Sequence, residues 1–316
     1  MGSRHAGLVL GLVFLGACAD AAAADTPERR AACDKLAQVR CGHLELCAPF
    51  DLEHVRGGMA QCVADEQAVC LNRLAAPGTT LRHTHVTTCA TFLAGLACHE
   101  IPFGDVLPDA KGNVACEPPV GTTKTLLACG DDSQCATGYC RKAANSACGK
   151  CESRKQNGEG CNEDDDCDGY AVCAATSTVK KCTKAVTFDL DCASAECVSP
   201  FLCQAGTCVA GGGQGDPCTS SPQNCKQGVG LCCDANTKVC VATPVVDIGE
   251  TCGYIDGSFV VCDYGAACVL KSGGQGTCKK VPAVGEACDS STAQPCRAPA
   301  LCTKGKCALP DPRACQ

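Results

Sequence analysis

The sequence predicts a small disulfide-rich protein in two parts. An α-helical, disulfide-stapled N-terminal domain is followed by an array of short β-hairpin cysteine-rich modules. Three observations lead there. Thirty-six of the 316 residues are cysteine, above the roughly 8–10% that marks a disulfide scaffold. Twenty-seven of them recur in six short blocks between Cys129 and Cys315. Trp is absent and aromatics are 3%, so large buried side chains are scarce and cross-links must stand in for a core. Each closed loop of about 15 residues contributes roughly 3 kcal/mol by restricting the unfolded chain. No cytosolic reductant would leave such a framework intact, so the chain is built for an oxidising compartment.

The net charge of −7 and pI near 5.4, with no basic stripe, argue against nucleic acid and anionic lipid as partners. At the N-terminus, Arg4 precedes an apolar and glycine run of eleven residues from Ala6 to Gly16. That length suits a signal-peptide core and is too short to span a bilayer. Leu15-Gly16-Ala17-Cys18 resembles the lipobox of bacterial lipoproteins. The resemblance implies a signal peptide over 1–17, lipid attachment at Cys18 and a lipidated tether over 18–25. It also implies membrane association through the lipid anchor. Because Ala19 follows the cysteine, the resemblance points to the outer membrane or cell surface. Ala22-Ala23-Ala24 before Asp25 also fits an ordinary cleavage site, which would release a secreted protein.

The helical domain is expected over 26–118. Thr26-Pro27-Glu28 reads as N-cap, first-turn proline and early acid, and Pro49 reads as the stop. Further helical stretches run from about Met59 to Leu74 and from about His85 to Ala97. Cys33 and Cys41 are eight residues apart, as are Cys62 and Cys70. Eight residues of helix give only about 80° of rotation. Two antiparallel helices could therefore be stapled as Cys33–Cys70 and Cys41–Cys62. With Cys47, Cys89, Cys98 and Cys116 the part holds eight cysteines, for which about 105 pairings exist.

A linker is expected over 119–128, then six repeats over 129–316 that begin near 129, 158, 189, 215, 249 and 285. Four open on one signature: Gly158-Glu159-Gly160-Cys161, Gly215-Asp216-Pro217-Cys218, Gly249-Glu250-Thr251-Cys252 and Gly285-Glu286-Ala287-Cys288. Four to six residues separate the second and third cysteines of each block, while the flanking gaps run from four to ten. That pattern predicts a stapled centre with tolerant loop tips. Gly206, Gly276 and Gly305, each two before a block's last cysteine, are expected at positive-φ hairpin positions.

Cys129-Gly130-Asp131-Asp132-Ser133-Gln134-Cys135, Gly138-Tyr139-Cys140 and Cys148-Gly149-Lys150-Cys151 resemble the start of a Dickkopf N-terminal cysteine-rich domain. Vicinal Cys232-Cys233 followed by Cys240 is similar to that family's paired-cysteine segment. The likeness spans about Cys129 to Cys182 closely and the later blocks loosely. It implies an extracellular disulfide module, with Cys129, Cys135, Cys140, Cys161, Cys167, Cys173 and Cys182 as structural cysteines. Overall the chain resembles a bacterial cysteine-rich lipoprotein with Dickkopf-like repeats. Nothing in it carries receptor antagonism over.

Four motifs have chemical readings. Cys148-Gly149-Lys150-Cys151 has redox-dithiol spacing but lies in a hairpin block rather than a strand-to-helix turn, so two structural bridges are expected. Asp164, Asp166, Asp168 and Gly169 spell the first half of a calcium loop, with Ala175 where a bidentate Glu belongs. A solvated acidic tip is expected there, calcium being the weaker candidate. His83, His85 and His99 lack ordered ligand spacing and are read as solvated. Every histidine precedes residue 100, so the repeats hold no imidazole base. With Cys18 set aside, 35 cysteines leave one odd thiol. Cys315, near the C-terminus, is expected to be that thiol, with Cys232 or Cys233 as the alternative. The functional expectation is a surface-anchored stalk or adhesion and recognition module. Catalysis and cofactors are not expected, and the partner is an unknown protein or surface ligand. A secreted inhibitor or ligand-binding protein is the alternative.

Overall fold

The computed structural model describes residues 25–98, 115–116, 118–143, 146–162, 166–168, 171–176, 179–186, 192, 196–197, 202–219, 225–271, 274–289 and 296–315. Cys18, His99, Asp164 and Gly169 lie outside them.

The N-terminal part is helical: α1 (Pro27–Cys47), α2 (Pro49–His54), α3 (Gly58–Leu74) and α4 (His83–Leu93). Thr26 caps α1, its hydroxyl accepting from Arg29 N, with Pro27 in the first turn. Pro49, expected to end the helical run, instead opens α2. A first-turn proline gives up only an amide that the helix could not pair. Ala32, Cys33, Ala37 and Cys41 form the buried stripe of α1. Cys33–Cys70 and Cys41–Cys62 staple α1 antiparallel to α3. Small side chains along this seam let the helices close on Leu74 and Val86. Cys47–Cys98 and Cys89–Cys116 fasten the remaining ends.

Behind it come six hairpin modules. Module 1 has β1 (Ala128–Cys129), β2 (Cys140–Lys142) and β3 (Gly149–Cys151); module 2 has β4 (Ala171–Thr176) and β5 (Val179–Val186). Module 3 has β6 (Glu196–Cys197), β7 (Leu202–Gln204) and β8 (Thr207–Val209); module 4 has β9 (Leu231–Cys233) and β10 (Cys240–Ala242). β11 (Val245–Val246) leads into module 5, with β12 (Thr251–Ile255), β13 (Ser258–Cys262), β14 (Ala266–Leu270) and β15 (Gln275–Lys280). Module 6 has β16 (Leu301–Thr303) and β17 (Lys306–Ala308).

All six follow one plan. Two cysteines stand directly opposite each other across the hairpin: Cys140 and Cys151, Cys173 and Cys182, Cys203 and Cys208, Cys233 and Cys240, Cys268 and Cys278, Cys302 and Cys307. Opposed residues share a face, so both sulfurs point to the same side. They do not bond to each other. Each reaches back to a cysteine in the preceding loop, as in Cys161–Cys173 with Cys167–Cys182 and Cys288–Cys302 with Cys296–Cys307. The two bridges pack together and form the buried centre, four cysteines in module 1. Closing loops of 11 to 16 residues, each contributes on the order of 3 kcal/mol in the chain-entropy account.

The ten-residue step from Cys252 to Cys262, expected as a tolerant loop, is the ordered β12–β13 hairpin. Asp256 and Gly257 turn it with φ of 47° and 87°, the two-residue turn that matches strand twist. Gly206 and Gly305 occupy such turns as expected. Gly276 does not. It lies within β15, where a Cβ would run into the Val269 carbonyl.

Residues 119–128, read as a linker, are the opening segment of module 1 and are docked on the helical part. Thr122 N donates to Gly78 O (2.8 Å) and the Thr80 hydroxyl to Val120 O (2.8 Å). No helix among the described residues is long and apolar enough to cross a membrane.

Candidate functional site

The Gly-acid signature has a structural cause. In four modules the glycine is the third residue of a turn, with φ between 84° and 97°. Its N–H donates to the carbonyl of the module's last cysteine: Gly158 to Cys182, Gly215 to Cys240, Gly249 to Cys278 and Gly285 to Cys307. The carbonyl of the following acid accepts from that same cysteine's N–H at 2.9 Å in all four. In three of them the carboxylate folds back onto the amide that opens the turn: Glu159 on Gln156 (2.6 Å), Asp216 on Gly213 (2.7 Å) and Glu286 on Ala283 (2.8 Å). A Cβ on these glycines would meet nothing within 4 Å, so backbone conformation alone demands them.

Module 1 makes the identical bonds without the signature. Leu126 N donates to Cys151 O (2.8 Å), Cys151 N to Leu127 O (3.0 Å) and Leu127 N to Lys124 O (3.2 Å). Leu126 therefore stands where its sisters have glycine, at φ 69°, and Leu127 stands where they have the acid. A left-handed leucine costs about 1–2 kcal/mol relative to glycine. Both side chains are exposed, 66% and 54%, and Val120, six residues before Leu126, is 59% exposed. Sequence reading missed this turn because neither the glycine nor the acid is there to mark it.

The joint to the helical part is polar. Gln134, 1% exposed, accepts from Gly130 N (2.6 Å) and Asp131 N (3.0 Å) and donates to Pro77 O (2.8 Å). Arg73 pairs with Asp131 at 2.8 Å. Next along, the Tyr139 hydroxyl donates to Asp166 (3.0 Å), Asn162 N donates to its other oxygen (2.8 Å), and Arg141 lies 3.3 Å away. Asp166 is thus 2% exposed and joins modules 1 and 2, where a solvated acidic tip was expected. The phenol and the amide turn its oxygens inward. Asp168 accepts from Gln156 at 3.0 Å.

The Cys148-Gly149-Lys150-Cys151 motif divides between two bridges, Cys148–Cys315 and Cys135–Cys151. The expectation of an odd thiol at Cys315 is overturned. Among the described residues the free thiol is Cys232, buried. Strand alternation explains the choice: Cys233 faces Cys240 and the bridges, whereas Cys232 points to the other side of β9.

Sulfurs of Cys129, Cys135 and Cys151 lie within 4.8 Å of one another, as metal ligands would. They are stacked disulfides, and an oxidised sulfur is not the thiolate that zinc takes. His85 receives the Arg82 amide at the start of α4 (3.2 Å), beside His83. Two clefts beside α1, around Leu36, Arg40, Arg73, Leu81 and Val86, have room for a few waters.

Seventeen disulfides among the described residues, set in cysteine-rich repeated modules, make this a protein of an oxidising, extracellular setting. No family model, curated protein or solved structure matches the chain.

Proposed function

We propose that the protein is a lipid-anchored surface recognition module, held to the outer membrane or cell surface through Cys18, that works by binding rather than catalysis. One observation carries the reading. The disulfide and turn frame repeats from module to module while the loops it holds differ in length and sequence. A fixed frame with variable loops is how rigid scaffolds present contact residues. The array also returns on itself through Cys148–Cys315, which favours recognition over an extended stalk. The partner is read as a protein or surface ligand, and the modules as Dickkopf-like in their cysteine plan.

Metabolic labelling with a palmitate analogue tests the anchor. Wild type should incorporate label and fractionate with membranes, and Cys18→Ser should do neither. A Cys18→Ser protein that stays with membranes and migrates like wild type would sink the anchor. An unlabelled wild type recovered from the medium would favour the secreted inhibitor or ligand-binding alternative.

A further inference from the structure

The Leu126-Leu127 turn has no structural reason to be apolar. Four sister turns make the same bonds with glycine and an acid, at no steric cost. Of the positive-φ residues other than glycine, Leu126 is the one large apolar side chain among the described residues. Two sister turns also expose one apolar residue, Ile248 at 58% and Val284 at 53%, but among the described turns module 1 alone sets two adjacent leucines there, one of them left-handed.

Its position says what it touches. Cys33–Cys70 and Cys41–Cys62 set α1 antiparallel to α3, so the start of α1 lies beside the end of α3. Module 1 docks at that same end, on Pro77, Gly78 and Thr80. Leu126 follows docked Thr122 by only four residues. Asp25 is seven chain steps from Cys18, a reach of at most about 25 Å. Asp25 and the docked segment that leads into the leucine turn therefore stand at the same end of the helical bundle.

We infer that Leu126 and Leu127, with Val120, enter the lipid surface to which the N-terminus is fastened and fix the molecule's orientation upon it. This rests on the anchored reading of Cys18. Apolar tips inserted at an interface supply the second contact that one attachment point lacks. With a net charge of −7 the contact is apolar rather than electrostatic, so uncharged lipid suffices.

The chain has no Trp, which gives the test a silent background. Full-length acylated Leu127→Trp protein is reconstituted on vesicles of phosphatidylcholine and phosphatidylethanolamine. Its emission should shift to the blue and be quenched by brominated lipid. Leu46→Trp, 74% exposed at the opposite end of α1, should do neither. Val120→Trp should shift as well, and lose the shift when combined with Leu126→Gly and Leu127→Glu, which restore the sister turn and preserve the fold. Protein that sediments with vesicles while the reporter at 127 stays water-like overturns the insertion and leaves the anchor standing. Failure to sediment overturns both. A blue shift that grows with protein concentration in vesicle-free solution assigns the turn to a contact between copies, and also overturns it.

Discussion

Single residues decide how the modules join. Gln134 accepts two hydrogen bonds and donates a third while nearly fully buried. Gln134→Leu should strand the amides of Gly130 and Asp131 and the Pro77 carbonyl, for a loss of about 1–3 kcal/mol by thermal unfolding. Cys232 makes a different forecast. In native protein it should resist a thiol label, and unfolding without reductant should expose one reactive thiol within the described residues, on the peptide holding Cys232. Label on Cys315 would refute the Cys148–Cys315 bridge. Of these two residues, only Cys232 was legible beforehand, as an alternative. Local spacing says which cysteines share a hairpin and is silent about a partner 167 positions away. Which face of β9 a cysteine takes depends on register, which the pair Cys232-Cys233 does not reveal.

Among elements, the turns are the most readable unit and the most instructive failure. The Gly-acid signature marked the openings of four modules, where the structure has turns, and Thr26-Pro27 with the matched cysteine spacing located α1 and its pairing with α3. The module 1 turn, α2 and the β12–β13 hairpin escaped. Each replaces a local cue with tertiary support: the Cys151 bonds at Leu126, the Phe50 ring against Gly230 beside α2, and the Tyr254–Phe259 contact of β12 and β13. Gly285→Ala should destabilise by about 1 kcal/mol or more and Leu126→Gly should stabilise by a similar amount, both read from melting. The turn after β9 supplies a pH dependence. Thr237 N, with the Ser258 and Thr237 hydroxyls, holds the Asp234 carboxyl down at about 2 from its ordinary 3.8. A lowered folded-state value contributes stability above about pH 4 that is lost as pH falls through about 2. Asp234→Asn should therefore flatten the acid limb of the unfolding curve in that window, and an unchanged limb would remove Asp234 from the account.

For the whole molecule, α2 and α3 are the hub around which the array is arranged. Phe50 meets Gly230 of module 4, and His54 pairs with Asp263 of module 5 at 2.7 Å. Asn72 donates to Pro310 in the C-terminal tail at 2.9 Å, and Arg73 holds Asp131 of module 1. Cys148–Cys315 then closes the circuit from tail to first module. A loop of that length stabilises by up to about 5 kcal/mol in the chain-entropy model. Cys315→Ser should lower the melting temperature and let protease cut between modules, while the circular dichroism of α1 to α4 stays unchanged. A variant as resistant as wild type would show that the noncovalent contacts suffice.

The interleaved bridges also govern how the chain matures. An oxidase acting on cysteines in order of emergence joins neighbours, first to second and third to fourth. Four of the finished modules join first to third and second to fourth, as Cys192–Cys203 and Cys197–Cys208 do, and modules 1 and 4, each with an extra cysteine, interleave in the same sense. Reaching that pattern requires reshuffling by thiolate attack, module after module. The final closure waits until Cys315 has been exported. Production in a host lacking a disulfide isomerase should therefore yield a ladder of scrambled isomers on non-reducing gels, and supplying the isomerase should collapse it to one band.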